Sequence, residues 1–290
     1  MIKSIFSPMT ALTAHSSATA LAVKLAKILN GKLTAYFMCP DPRLSIPYVG
    51  DGLTADVIQS LCDATEKEGK LAIQSATKHV QELCSLMAVG YIEDHGDDCE
   101  MRFPSAVFGS KTCYLKEKVG RMARIADLAV VPQPNDKNAP DGEDMVNELI
   151  FGSGRPLLMV PEGDFKVTDQ TVMIAWNGMA ESARAVAASL PLLREASKIY
   201  GITIGEDHED RPALPELASY LKIHGLTMEE VHTKHTGASI GEQLLASACE
   251  YNVDLLVSGA YSHSRWREKI LGGVTKHIVE NATMPLFMSH

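Results

Sequence analysis

The chain has 290 residues, 46% of them hydrophobic and 22% charged, with a net charge of −9. That apolar share belongs to a packed globular protein and excludes an extended disordered chain, while the acidic balance argues against a nucleic-acid partner held through its phosphates. No apolar run approaches the roughly 20 residues of a membrane-spanning helix, so no membrane partner is expected.

Residues 1–26 contain many alanines, but Pro8, Thr10, Thr13, His15, Ser16 and Ser17 interrupt any apolar core of a secretory leader. The segment reads as a strand over 2–7 and a helix over 13–29, and the expected compartment is the cytoplasm. Ala18, Leu21, Ala22, Leu25 and Leu29 make one apolar stripe, and Asn30-Gly31 supplies a left-handed stop. A second strand covers 33–38. Residues 40–90 then add a loop with Pro40, Pro42 and Pro47 and a helical run of roughly 54–87, with Glu66 and Lys70 at helical spacing. This insertion could serve as a lid, a dimer contact or an elaborated surface. The six cysteines form no Cys-x-x-Cys and read mostly as small core residues.

A repeat organises the rest. Asp127-Leu-Ala-Val-Val131 is followed by Arg155-Pro-Leu-Leu-Met-Val-Pro161, and Asp254-Leu-Leu-Val-Ser258 by Met284-Pro-Leu-Phe-Met-Ser289. The aspartate-to-proline separations, to Pro156 and Pro285, are 29 and 31 residues. Each half also opens with an apolar strand and an alanine-rich helix, over 171–176 and 180–190 in the second half. Residues 162–170 are polar and mark the boundary. Further strands at 199–204 and 255–257 alternate with helices near Pro215 and after Ser239, whose Glu242 three residues on completes a capping box. Short apolar strands alternating with helices imply a parallel sheet covered on both faces.

The chemistry is concentrated in residues 258–277. Gly259 stands where a buried strand ends, and Gly272-Gly273 where the last helix begins. Glycines there let backbone approach an anion, and a helix start favours negative charge. The loop Trp176-Asn177-Gly178 after the half's first strand would lie beside them at a switch point in the strand order. Neither Gly-x-x-x-x-Gly-Lys-Ser/Thr nor Gly-x-Gly-x-x-Gly is present. Phe151-Gly-Ser-Gly-Arg155 leads out of a helix, the wrong end for an anion, and reads as a turn. His232 and His235 read as solvated rather than metal-binding. No Ser/His/Asp order or carboxylate pair stands out, and no catalytic residue is assigned.

This stretch resembles the signature of the universal stress protein family: Gly-x-x-Gly, nine residues, then Gly-Ser/Thr with a Val-Thr/Ser continuation. Gly259 matches the first glycine, Gly272 the third and Val274-Thr275 the continuation. The likeness covers the second half by element order and the first more loosely. It implies an α/β chain of two tandem doubly wound, Rossmann-like domains, 1–161 and 168–290. Each is expected to hold a five-stranded, mostly parallel sheet in the order 3-2-1-4-5. In ATP-binding members the loop wraps the phosphates, and an aspartate after the first strand helps hold the nucleoside. Carried onto this chain, the resemblance implies a site for ATP or another adenine nucleotide at Asn177, Gly259, Ser262, Gly272, Gly273, Val274 and Thr275. The only metal it implies is a Mg2+ accompanying the nucleotide.

Three positions depart from the pattern: Ser262 replaces the second glycine, Gly273 the hydroxyl residue and Asn177 the aspartate. The first half departs further, with no glycine pair after Val131 and no carboxylate after its first strand. Three readings stay open: a stress-responsive nucleotide-binding switch or scaffold, a stress-response interaction protein without nucleotide, and a slow ATPase. Family members commonly pair through their last strands. Here residues 157–160 and 286–289 are expected to pair within one chain, with a homodimer left open.

Overall fold

A computed structural model of the chain describes residues 1–39, 55–93, 103–112, 115–135, 141–205, 212–260 and 273–290. The first half runs β1 (Ser4–Met9), α1 (Ser17–Ile28), β2 (Lys32–Cys39), α2 (Ala55–Met87), β3 (Gly90–Ile92), β4 (Ser105–Thr112), α3 (Leu115–Ala123), β5 (Leu128–Pro132), α4 (Asp141–Gly152) and β6 (Leu157–Val160). The second runs β7 (Gln170–Ala175), α5 (Ala180–Leu193), β8 (Ala196–Ile204), α6 (Leu214–Ile223), β9 (Glu229–Thr233), α7 (Ile240–Glu250), β10 (Leu255–Gly259), α8 (Gly273–Asn281) and β11 (Leu286–Ser289).

All eleven described strands join one sheet in the order β3-β4-β2-β1-β5-β6-β11-β10-β7-β8-β9. Neighbours are parallel except at the seam, where β6 meets β11 antiparallel and Leu158 stands opposite Phe287. The first half therefore contributes six strands where five were expected. The additional one is β3. After α2, Ala88 turns the chain at φ 54°, Val89 is buried, and Gly90 N donates to Pro104 O at 3.0 Å, which brings three residues onto the outer edge of β4.

Successive strand residues feed opposite faces, as the pleat requires. Leu128 and Val130 join the core on one face, and Ala129 and Val131 the core on the other. Helices α1, α2, α5 and α6 cover the first face, and α3, α4, α7 and α8 the second. Each core runs across the seam without interruption, so Leu21 and Leu25 of one half share a cluster with Leu192 and Phe287 of the other.

The sequence repeat has a hydrogen-bonding cause. Asp127 accepts from the amides of Lys3 and Ser4 at 2.8 and 2.9 Å, and Asp254 accepts from that of Thr171 at 2.7 Å. The repeated prolines accept too, Pro156 O from Ala129 N and Pro285 O from Leu256 N. In each half the aspartate ties the start of the fourth core strand to the first, where ladder bonds have not yet begun.

Local signals differ in what they turned out to mean. The capping box at Ser239 and Glu242 forms in both directions, and Pro215 lies in the first turn of α6. At the end of α1 the left-handed residue is Asn30, at φ 49°. Gly31 is needed for another reason, since a Cβ there would stand 2.7 Å from Lys3 O. Of the described cysteines only Cys84 is buried, its thiol pushed up to about 11 by desolvation; Cys39 and Cys62 are half-buried and Cys249 is exposed.

Phe287 is fully buried beside the seam. Phe287→Ala is expected to cost about 3–5 kcal/mol and, because the cores are shared, to lower amide-exchange protection in β1 and β7 together. Protection lost in β7 and kept in β1 would show that the halves unfold separately.

Candidate functional site

β7 and β10 lie side by side and parallel, with Ala175 opposite Ser258. The chain leaves β7 for α5 on one face and leaves β10 toward α8 on the other. Helices departing to opposite faces open a crevice at the carboxyl ends of the two strands, where ligands bind in open α/β sheets. Gly259 is the last residue of β10, and Asn177 and the start of α8 belong to the segments that follow the two strands.

The loop after β7 is built tightly. Trp176 is buried and held by its indole N–H, which donates to Pro212 O at 2.7 Å, so it serves packing. Asn177 is exposed, and its Oδ1 accepts from Met179 N at 3.0 Å. This Asx turn, with Gly178 at φ 66°, aims the chain into α5. The acceptor left by the missing aspartate is thus engaged in shaping the loop.

Gly259 meets the first turn of α5. A Cβ there would lie 2.6 Å from Ser182 N and 2.8 Å from Glu181 C, both backbone atoms that cannot swing away. Helix–strand packing alone therefore demands glycine at 259, and that packing sets the start of α5 against the tip of β10. The next residue, Ala260, is buried; its N–H donates to Ser289 O, and its carbonyl accepts from His290 Nδ1 at 3.0 Å.

Gly273 behaves differently. It opens α8, and among the described residues a Cβ there would meet nothing within 4 Å. Packing against the described residues gives no reason for glycine here. The first turn of α8 carries no acidic side chain, so its positive dipole end lacks a carboxylate of its own. Val274 is exposed, while Thr275 is buried and engaged. Ser262 and Gly272 lie outside the described residues, as do Arg265, Trp266, Arg267 and Lys269.

In the first half the turn after β1 is closed by the chain's own groups, while residues 136–140 after β5 lie outside the described residues. After β1, Thr10 N donates to Thr13 Oγ1 at 2.8 Å, with no carboxylate in the turn. Residues 151–155 form the turn out of α4: Ser153 Oγ donates to Leu149 O, Arg124 Nε to Gly152 O, and Gly154 sits at φ 67°. His232 contacts Glu230 at 3.4 Å and His235 Nδ1 accepts from Gly237 N. Among the described residues no group of three or more His, Cys, Asp or Glu is placed to hold a metal, and no helix is long and apolar enough to cross a membrane.

The two glycines should respond oppositely to substitution. Gly259→Ala is expected to destabilise the protein by about 1–3 kcal/mol through overpacking. Gly273→Ser should stay within about 0.5 kcal/mol of the parent. Chemical denaturation measures both, and equal costs would show that the open space at 273 is filled.

No family model matches the chain. The universal stress protein Slr1230 of Synechocystis sp. is 20% identical over 252 residues, covering 82% of this chain and 80% of that protein. A crystal structure of a universal stress protein from Archaeoglobus fulgidus superposes with a TM-score of 0.64 at 11% identity, covering 97% of this chain and 94% of that one. A putative universal stress protein from Pseudomonas aeruginosa gives a TM-score of 0.53 at 10% identity, covering 99% and 92%. The chain thus shares the fold of these universal stress protein structures and is similar in sequence, over most of its length, to a universal stress protein.

Proposed function

We propose that the chain is a cytoplasmic, stress-responsive protein that binds an adenine nucleotide of the ATP or AMP type and acts as a switch or scaffold. The nucleotide occupies the unit 168–290, while the unit 1–161, with its long helical insertion, is degenerate and binds none. The observation that carries this reading is Gly273. Among the described residues it is a glycine without a packing reason, at the start of a helix with no acidic first turn, in the segment that follows a central strand at the switch point. Gly272, Gly273, Val274 and Thr275 would offer backbone N–H groups and a hydroxyl to the phosphates. Gly259 and Ser262 would shape the near side of the loop, and Asn177 would face the nucleoside. A Mg2+ would arrive with the nucleotide.

A second reading, an interaction protein without nucleotide, draws on two other observations. Packing of α5 accounts for Gly259, and the Asx turn engages the Asn177 acceptor. A slow ATPase remains a third reading, for which phosphate release would fall when Gly272 is made bulky. Both closing strands are engaged within the chain, so none of these readings requires a second copy.

Calorimetry with ATP, ADP and AMP separates the first two. The nucleotide reading expects one site per chain and loss of the heat in Gly273→Leu, whose side chain would enter the open space. Folded parent protein that gives no heat with any of the three removes it.

A further inference from the structure

Helix α8 has its amino end at the proposed nucleotide loop, and its other end is held by the opposite half. The last carbonyls of a helix have no partner within it. Here the side chain of Gln133, the residue after β5, donates through Nε2 to Val279 O at 2.8 Å and to Ala282 O at 3.1 Å. Both acceptors are carbonyls, so chemistry fixes which end of the amide points at them. Gln133 is itself anchored, its N–H donating to Val160 O at 2.8 Å beside the seam.

The repeat makes this contact one-sided. Counting from Asp127 and Asp254, the counterpart of Gln133 is Ala260, whose N–H makes the equivalent bond to Ser289 O but whose side chain has no donor. The end of α4 is capped from within its own half, Gly152 O accepting from Arg124 Nε at 3.0 Å. Ala260 is instead steadied through its carbonyl by His290, whose ring meets Phe151 of α4 edge-on with centroids 5.0 Å apart. Ala260, just before residues 261–272, and the carboxyl end of α8, the helix that follows them, are therefore fastened to groups of the first half or at the seam.

We propose that Gln133 is a positioning residue contributed by the first half, which fixes α8 and thereby the amino end that the nucleotide loop uses. This inference rests on the nucleotide reading for its consequence in binding, but its structural part stands without it. A half that holds no nucleotide of its own thus serves the half that does.

Amide exchange and calorimetry on the full chain test it with Gln133→Ala, the nearly isosteric Gln133→Glu and the donor-bearing Gln133→Lys. Loss of the two bonds should speed exchange in α8 roughly three- to tenfold in Gln133→Ala, leaving α1 and α5 unchanged. Gln133→Glu, a carboxylate against two carbonyls at a negative helix end, should exceed that, and Gln133→Lys should restore protection. ATP affinity should weaken and recover by similar factors in the same order. Unchanged α8 exchange in both Gln133→Ala and Gln133→Glu, or faster exchange shared equally by α1, α5 and α8, overturns the proposal. If the parent gives no heat with ATP, the nucleotide reading fails, and the exchange series alone decides the role of Gln133.

Discussion

Everything in this molecule depends on three residue pairs at the antiparallel seam between β6 and β11. Without it the two halves would expose the edges of β6 and β11, each a row of unpaired backbone groups open to another strand. With it, the halves become one sheet, the layers above and below it become continuous cores, and a residue of one half comes within hydrogen-bond distance of a helix of the other. The closing strands are apolar because they are covered on both faces. Leu158 and Phe287 pack into one core, and Leu157, Leu286 and Met288 into the other.

The halves share a plan but use it unequally. Each keeps the aspartate that ties its fourth core strand to its first, and each keeps the proline carbonyl beside it. These bonds serve the fold and have survived on both sides. The ends of the strands where a ligand would sit have diverged. One half has a threonine turn that satisfies itself, and the other has a helix start at Gly273 without steric cover from the described residues. A duplicated scaffold that retains one open helix start and one supporting half is the simplest physical reading of that inequality.

Much of this was legible in the amino-acid order. Parallel strands buried on both faces appear as unbroken apolar runs, and the Asp-to-Pro repeat appears because both halves need the same two acceptors. The capping box at Ser239 was readable because its partner is three residues away. What escaped was set by distant backbone. Gly31 and Gly259 look like turn glycines, yet each is required by a close approach of another element, Lys3 O in one case and the first turn of α5 in the other. The bonds from Gln133 join residues 146 and 149 positions apart, and no local pattern announces them. The strand β3 was hidden because three residues after a long helix carry too little periodicity to read.

The proposed function requires that a nucleotide bind in the crevice between β7 and β10. Titrating isotopically labelled protein with AMP and following backbone amides by NMR tests that placement most directly. Shifts centred on Asn177, Gly259 and Gly273 to Thr275, with residues 10–16 at the equivalent place in the first half unmoved, are the predicted result. Shifts centred on residues 10–16, or none anywhere at saturating AMP, would contradict it.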